Sequence, residues 1–174
     1  MELGPWYQRF IIDGKPTTKV GFMNSDYFAL IEPLFYGIEL GTRVLDIGCN
    51  AGFVSFELSK KGAFVLGIEN DEGYYNQAIY MRDLLENPVV NFKLSDIETF
   101  NMSGWKPEFV VALGCLYHLK NPTRTCQRIV RLKVPIVASF RYSNFSSFIN
   151  IFNDLGLEPK KVINYGRKLA VRFN

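Results

Sequence analysis

At 174 residues, 48% of them apolar and 15% aromatic, the chain reads as a globular protein of one domain, large enough to bury a single sizeable core. No apolar run approaches the ~20 residues of a membrane span, and Met1–Pro5 carries neither the basic nor the apolar part of a secretion leader. The net charge is only +3, and three scattered cysteines (Cys49, Cys115, Cys126) with a lone His118 show no C-x-x-C spacing, so no metal site is expected and the thiols read as reduced, in a cytoplasmic protein.

Residues 1–40 read as an N-terminal segment and helix, and 41–174 as the core of the same domain. The segment begins aromatic and irregular, Trp6-Tyr7-Gln8-Arg9-Phe10, and Asp13-Gly14-Lys15-Pro16 predicts a turn. Ser25 or Asp26 is placed to cap a helix running to about Tyr36, with Phe28, Ile31, Leu34 and Phe35 on its apolar side; Pro33 predicts a kink or an early end. Arg43–Ile47 reads as the first core strand and Gly52–Lys61 as its helix. A second apolar run, Ala63–Ile68, ends in Glu69. The helix from Asp71 to about Glu86 has acidic residues at its positive end, worth ~0.3–1 kcal/mol each, and Asn87-Pro88 stops it. Val89–Leu94 and Phe109–Leu113 read as the third and fourth strands. Asn121 is the expected cap of the next helix, with Pro122 at its first position. Val134–Phe140 follows as a fifth strand, then a helix over Asn144–Leu155, then a hairpin pairing Lys161–Tyr165 with Lys168–Phe173 around Gly166-Arg167. Strands alternating with helices imply a parallel sheet with right-handed crossovers, and the closing hairpin must add one antiparallel strand. The expected class is α/β, a three-layer αβα sandwich.

Val44-Leu45-Asp46-Ile47-Gly48-Cys49-Asn50-Ala51-Gly52 is an apolar run ending in an acid and a glycine-bearing turn, and Glu69 follows seventeen residues after Gly52. This is the first half of a nucleotide-binding βαβ unit. The turn needs glycine because a backbone brought up to a ligand has no room for a Cβ and often takes φ > 0. Glu69, at the carboxyl end of a parallel strand, is placed to accept hydrogen bonds from both hydroxyls of a ribose. The dinucleotide pattern G-x-G-x-x-G, which seats a pyrophosphate on a helix N-terminus, is not met: its second and third glycines fall on Asn50 and Phe53. Asp46 would repel a pyrophosphate but would suit an ammonium or a sulfonium. A cofactor with ribose hydroxyls, a cationic tail and no phosphate is S-adenosylmethionine (SAM). The stretch resembles motif I of the class I SAM-dependent methyltransferases, D-x-G-x-x-x-G, on Asp46, Gly48 and Gly52. Asn50 stands where that family often has glycine, and Asn tolerates the left-handed conformation better than other non-glycine residues. The resemblance covers residues 43–174 and implies a seven-stranded sheet in the order 3-2-1-4-5-7-6. Trp6-Tyr7-Gln8, Asp13-Gly14, Thr18 through Gly21 and Leu116-Tyr117-His118-Leu119-Lys120-Asn121-Pro122 are similar to the branch containing the tRNA wobble-uridine 5-oxyacetate alkyltransferases and related methyltransferases.

In an open α/β sheet the ligand lies outside the carboxyl ends of the strands. Four ends are therefore expected at one cavity: Asp46–Gly52, Glu69–Asn70, Asp96–Ile97 and Leu113–His118. The resemblance implies that the backbone around Gly48, Cys49 and Asn50, with Leu113 and Gly114, holds the methionine moiety, with Asp46 near its ammonium and Glu69 on the ribose. It further implies that Asp96 accepts from the adenine amino group while Asn70 and Ile97 line the ring; a turn cap is the other reading of Asp96. Trp6 and Tyr7 either close over the cofactor or pack on the sheet. His118, at the expected mouth, is the candidate base with Tyr117 as a positioning group; the alternative is that it shapes the loop. Gly114-Cys115-Leu116-Tyr117-His118-Leu119 is neither the Asp/Asn-Pro-Pro-Tyr/Phe of amino methylation on adenine or glutamine nor the Pro-Cys of cytosine C5 methylation, so both reactions are disfavoured.

Charge is uneven along the chain. Residues 1–87 carry 7 Lys/Arg against 12 Asp/Glu, and residues 88–174 carry 13 against 5. Arg124, Arg128 and Arg131 share one helix face at i, i+4, i+7, which either attracts an anionic substrate such as nucleic acid or is a solvated face. The expected function is methyl transfer from SAM to an oxygen or nitrogen of a small molecule or RNA base, with S-adenosylhomocysteine as product. The alternative is a SAM-binding partner subunit or sensor without the chemistry; a nicotinamide oxidoreductase is opposed by Asn50 and Phe53.

Overall fold

Apolar residues sort to the two faces of one seven-stranded sheet in the computed structural model, which describes residues 3–19, 21 and 23–174. Met1, Glu2, Phe22 and Val20, the last within the Thr18–Gly21 stretch, lie outside the described residues. The core strands are β1 (Arg43–Ile47), β2 (Phe64–Glu69), β3 (Val90–Leu94), β4 (Phe109–Leu113), β5 (Ile136–Arg141), β6 (Pro159–Tyr165) and β7 (Lys168–Phe173). They lie in the order β3-β2-β1-β4-β5-β7-β6, as the resemblance implied, and among them β7 alone runs antiparallel to the rest.

Successive side chains of a strand point to opposite faces, and β1 shows the result. Val44 joins a buried cluster with Phe35, Val54 and Phe56, while Leu45 joins another with Ile129, Phe140 and Phe152. With both faces covered, the central strands read as nearly continuous apolar runs. Helices α1 (Ser25–Ile31), α2 (Phe53–Ser59) and α3 (Glu72–Leu84) contribute to the first cluster; α4 (Met102–Trp105), α5 (Pro122–Val130) and α6 (Tyr142–Asp154) contribute to the second. That is the expected three-layer sandwich.

Helix ends depart from expectation where several residues compete for one role. Asn24, not Ser25 or Asp26, caps α1, its Oδ1 accepting the Tyr27 N–H at 2.9 Å. The helix gives way to a 3-10 turn over Glu32–Leu34, because Pro33 has no N–H to continue the ladder. Asp71 caps α3 as expected, accepting from Tyr74 N–H at 2.9 Å. Asn121 stands at the N-cap of α5 but makes no side-chain cap. Glu98 instead accepts the N–H groups of Lys120 and Asn121, just ahead of the helix, at 3.0 and 2.7 Å, and so ties the loop after β3 to the loop after β4.

The N-terminal segment is docked on the core. Asp13 and Gly14, both at positive φ (+50° and +74°), turn a short hairpin that pairs Ile11 with Pro16 and Ile12 with Lys15. Trp6 packs edge-on to Phe10 at 5.8 Å between ring centroids, and Phe10 lies 5.3 Å from Phe53 of α2.

Candidate functional site

β1 runs buried to Ile47, and the chain then turns sharply into α2. Gly48 takes φ +65°, and a Cβ there would stand 2.5 Å from Cys115 Cβ, so only glycine lets the loop after β4 come this close. Gly52 takes φ +85°, and its Cβ would meet the Phe92 ring at 2.4 Å. Asn50 is left-handed as well, at φ +54°, the conformation expected of it.

Every N–H from Gly48 to Phe53 already has a partner within the protein. Gly48 and Cys49 donate to the Ile68 carbonyl at 2.8 and 3.2 Å, and Gly52 to the Cys49 carbonyl at 3.0 Å. Asn50 N–H goes to Glu69 Oε2 at 2.8 Å, Ala51 N–H to Asn50 Oδ1 at 2.8 Å and Phe53 N–H to Gln8 Oε1 at 2.9 Å. A phosphate seat works by offering such donors. This turn has no such donor left for a phosphate.

Beyond the turn a cavity of about 480 Å³ opens at the strand ends. It brings together Gly48, Asn50, Glu69, Asn70, Asp96, Ile97, Leu113, Gly114, Tyr117 and His118, drawn from four segments distant in sequence. Glu69 ends β2 and is 6% exposed. Its Oε1 accepts the N–H groups of Asn70 and Asp71 at 2.8 and 2.9 Å, while Oε2 takes Asn50. A carboxylate has about four acceptor positions, so one remains, on Oε2: room for one ribose hydroxyl where two were expected. Asp96 both lines the cavity and caps a turn, its Oδ1 accepting the Glu98 N–H at 2.8 Å.

Asp46, Cys49 and Gly52 do not line the cavity. Asp46 is still within β1, 2% exposed, and its Oδ2 accepts the Ser55 hydroxyl at 2.6 Å, so it fastens the strand to α2 rather than meeting a ligand directly. Burial pushes its carboxyl up to about 7, against the opposing Ser55 hydrogen bond and with the help of the Glu69 charge. Burial likewise pushes the Cys49 thiol well up, and the residue contributes its carbonyl to Gly52 and to Gln8 Nε2, the latter at 3.2 Å.

Several wall residues were not foreseen. Gln8, 5% exposed, clamps the N-terminal segment to the turn through Cys49 O and Phe53 N–H, and it lines the cavity with Met23 and Tyr27, beside the Tyr7 already considered from the sequence. Tyr7 thus faces the site while Trp6 packs inward on Phe10. Ser139 and Arg141 of β5 and Lys168 of β7 also line it. The carboxyl end of the fifth strand abuts that of the fourth, so the rule that selected the other four ends selects this one too.

After β4, Leu116–His118 forms a 3-10 turn that sets the Tyr117 and His118 rings 4.5 Å apart, with the Arg141 guanidinium 5.2 Å from the Tyr117 ring centroid. Partial burial, then Arg141 and Lys168, hold the His118 imidazole below its ordinary range, which favours its neutral form. The three arginines of α5 and its end do not line the cavity. Arg128 donates to the carbonyls of Ile97 and Glu98, both at 2.7 Å, and to that of Phe100, which makes it a brace behind the Asp96–Ile97 wall; Arg124 and Arg131 remain exposed. Among the described residues no helix is long and apolar enough to cross a membrane.

Residues 38–141 match the methyltransferase domain family. A tRNA U34 carboxymethyltransferase of Campylobacter hominis is 30% identical over 114 residues, 62% of this chain and 39% of the other. A ubiquinone biosynthesis O-methyltransferase of Coxiella burnetii is 25% identical over 112 residues, 63% of this chain and 47% of the other. The chain spans less than half the length of these two relatives. Among solved structures, the N-terminal domain of EvdMO1, crystallised in the presence of S-adenosylhomocysteine and D-fucose, aligns with a TM-score of 0.74 at 18% identity, over 99% of this chain and 91% of that one. A SAM-dependent methyltransferase of Aquifex aeolicus aligns with a TM-score of 0.72 at 20% identity, over 85% and 88%. At these identities the likeness is one of fold. A family match over more than half the chain, on a doubly wound sheet with one antiparallel strand near its edge, means that the chain belongs to the methyltransferase domain family, in its class I, Rossmann-like form.

Proposed function

We propose that this chain is a SAM-dependent methyltransferase acting on an oxygen or nitrogen of a small molecule or an RNA base. The observation that carries the reading is the turn from Gly48 to Phe53. Its N–H groups are spent within the protein, and carboxylates at neighbouring strand ends, Glu69 and Asp96, stand beside it. An adenosyl group with a cationic tail fits such a wall; a pyrophosphate does not. Glu69 would hold a ribose hydroxyl, Asp96 with Asn70 and Ile97 the adenine, and Leu113, Gly114 and the carbonyls of the turn the methionine end. Asp46 supports that end from behind the wall, by fastening β1 to α2 through Ser55.

Bound there, the cofactor supplies a methyl carbon already activated by its sulfonium. The protein's main task is then to place the acceptor. Neutral His118 stands at the mouth to take the proton of a hydroxyl acceptor, with Tyr117 positioning it. The names of the two relatives support both acceptor classes, one being a tRNA enzyme and the other an O-methyltransferase of ubiquinone biosynthesis. Three free thiols fit a reducing compartment, and we place the protein in the cytoplasm.

Calorimetric titration with S-adenosylhomocysteine and NADH tests the pocket, and transfer of labelled methyl into cell extract split into RNA, protein and metabolite fractions tests the chemistry. Binding of S-adenosylhomocysteine alone, with label in RNA or metabolites, is expected. NADH binding, or no binding of S-adenosylhomocysteine, refutes the reading. Binding without label in any fraction points to a non-catalytic SAM-binding subunit.

A further inference from the structure

Arg141 and Lys168 are directly opposed across the β5–β7 pair, and both line the cavity at its Tyr117–His118 end. Like charges opposite one another in a sheet repel. The repulsion registers on the neighbours: the Lys168 amine sits below its ordinary range because of burial and of Arg141. The ion pairs among the described residues, Arg43–Glu108, Lys60–Glu57, Lys61–Glu32 and Arg82–Asp83, do not include Arg141, whose guanidinium lies over the Tyr117 ring. The acids of the wall lie on the other side of β1 in the sheet order: Glu69 ends β2, Asp71 follows it and Asp96 follows β3. The cavity therefore has an acidic end and a basic end. A Cβ built on Gly114 would stand 3.4 Å from the Tyr117 hydroxyl and 3.9 Å from Lys168 Nζ, so a phenol and an ammonium converge on the end of β4.

If the acidic end holds a SAM molecule, a positively charged sulfur joins two cations in one small space. Such a concentration of positive charge favours an acceptor that carries a negative one. We propose that Arg141 and Lys168, with the Tyr117 hydroxyl, bind an oxyanion of the acceptor molecule, a carboxylate or a phosphate group, and that the acceptor is selected by this charge. The guanidinium suits such a group because it presents parallel N–H donors in a plane. This rests on the reading of the cavity as a cofactor site.

The test uses benzoate, phenyl phosphate and the neutral benzamide as probes, titrated calorimetrically into the protein with and without saturating S-adenosylhomocysteine. The wild type is compared with Arg141→Gln and Lys168→Met, each checked for native circular dichroism and for unchanged S-adenosylhomocysteine affinity. At least one anion is expected to bind about tenfold or more tighter than benzamide, and both variants should lose that preference. The stronger of the two anions identifies the group. Benzamide binding as well as both anions, or a preference that survives in both variants, overturns the proposal. Failure of S-adenosylhomocysteine itself to bind strikes only the cofactor reading, because the anion comparison on the protein without it stands on its own.

Discussion

Replacing Glu69 by glutamine tests the junction between fold and ligand. Three backbone N–H groups converge on this carboxylate within 2.9 Å, two on one oxygen and one on the other. Glutamine keeps one carbonyl oxygen and puts an NH2 in place of the second, so a donor faces a donor. If the carbonyl serves Asn70 and Asp71, the Asn50 N–H is stranded at a position where the native side chain is only 6% exposed. Losing a hydrogen bond to a charged acceptor costs ~1.5–3 kcal/mol and stranding a buried donor ~1–3 kcal/mol. The two overlap, so about 2–4 kcal/mol of stability should go. For a chain of this size that lowers Tm by roughly 5–15 °C. Separately, loss of the last acceptor position on Oε2 should weaken S-adenosylhomocysteine binding about ten- to a hundredfold. Differential scanning calorimetry reads the first effect, and titration calorimetry well below the melting range reads the second. A lowered Tm with wild-type affinity would remove Glu69 from the ligand site while leaving its structural role. A variant equal to wild type in both would refute the reasoning altogether.

Three other outcomes are expected. His118→Ala should lower kcat on a hydroxyl acceptor by about 10²- to 10⁴-fold with S-adenosylhomocysteine affinity unchanged, and the acid limb of the wild-type profile should lie below the ordinary histidine value, since burial, Arg141 and Lys168 all disfavour the imidazolium; a kcat near wild type would mean that His118 only shapes its loop. Asp46, whose folded-state carboxyl is raised to about 7, favours folding most below about pH 4, where both states are protonated, and that contribution is lost as pH rises to about 7, by about 4 kcal/mol. Asp46→Asn should lack this slope in urea titrations run from pH 4.5 to 7.5, and parallel curves for variant and wild type would contradict the assignment. Gln8→Ala should cost about 1–3 kcal/mol by leaving the Phe53 N–H without its acceptor and should speed limited proteolysis between residues 9 and 19; an unchanged cleavage rate would show that the segment is held elsewhere.

Much of the sheet was legible in the chain because β1, β2 and β4 are apolar runs that stop at a glycine or an acid, Gly48, Glu69 and Gly114. Helix ends were less legible. Asn24, Ser25 and Asp26 can all cap, and only the backbone path selects Asn24. The site followed the same division. Glu69 and Asp96 stand on the wall because they end or follow strands, whereas Asp46, one residue further inside, is covered and turned to Ser55. Spacing put Arg128 on a helix face but could not say that three backbone carbonyls wait opposite it. Lys168 begins an antiparallel strand, so its place beside Arg141 follows only from the order of the sheet. Gln8 lay in a recognised stretch, yet its clamp on the turn is a contact across more than forty residues.

The loop from Gly48 to Phe53 is a finished piece of architecture before any guest arrives. Since its amides answer to the protein alone, ligand entry and exit need no rewiring there, and no ordering entropy is charged to that stretch on binding. Hydrogen exchange at those six amides should then be indifferent to ligand, in contrast to loops that firm up around a phosphate. Adaptation to a new acceptor must accordingly come from the opposite bank, where side chains of the later strands and the N-terminal arm can change without disturbing the hinge point of the fold.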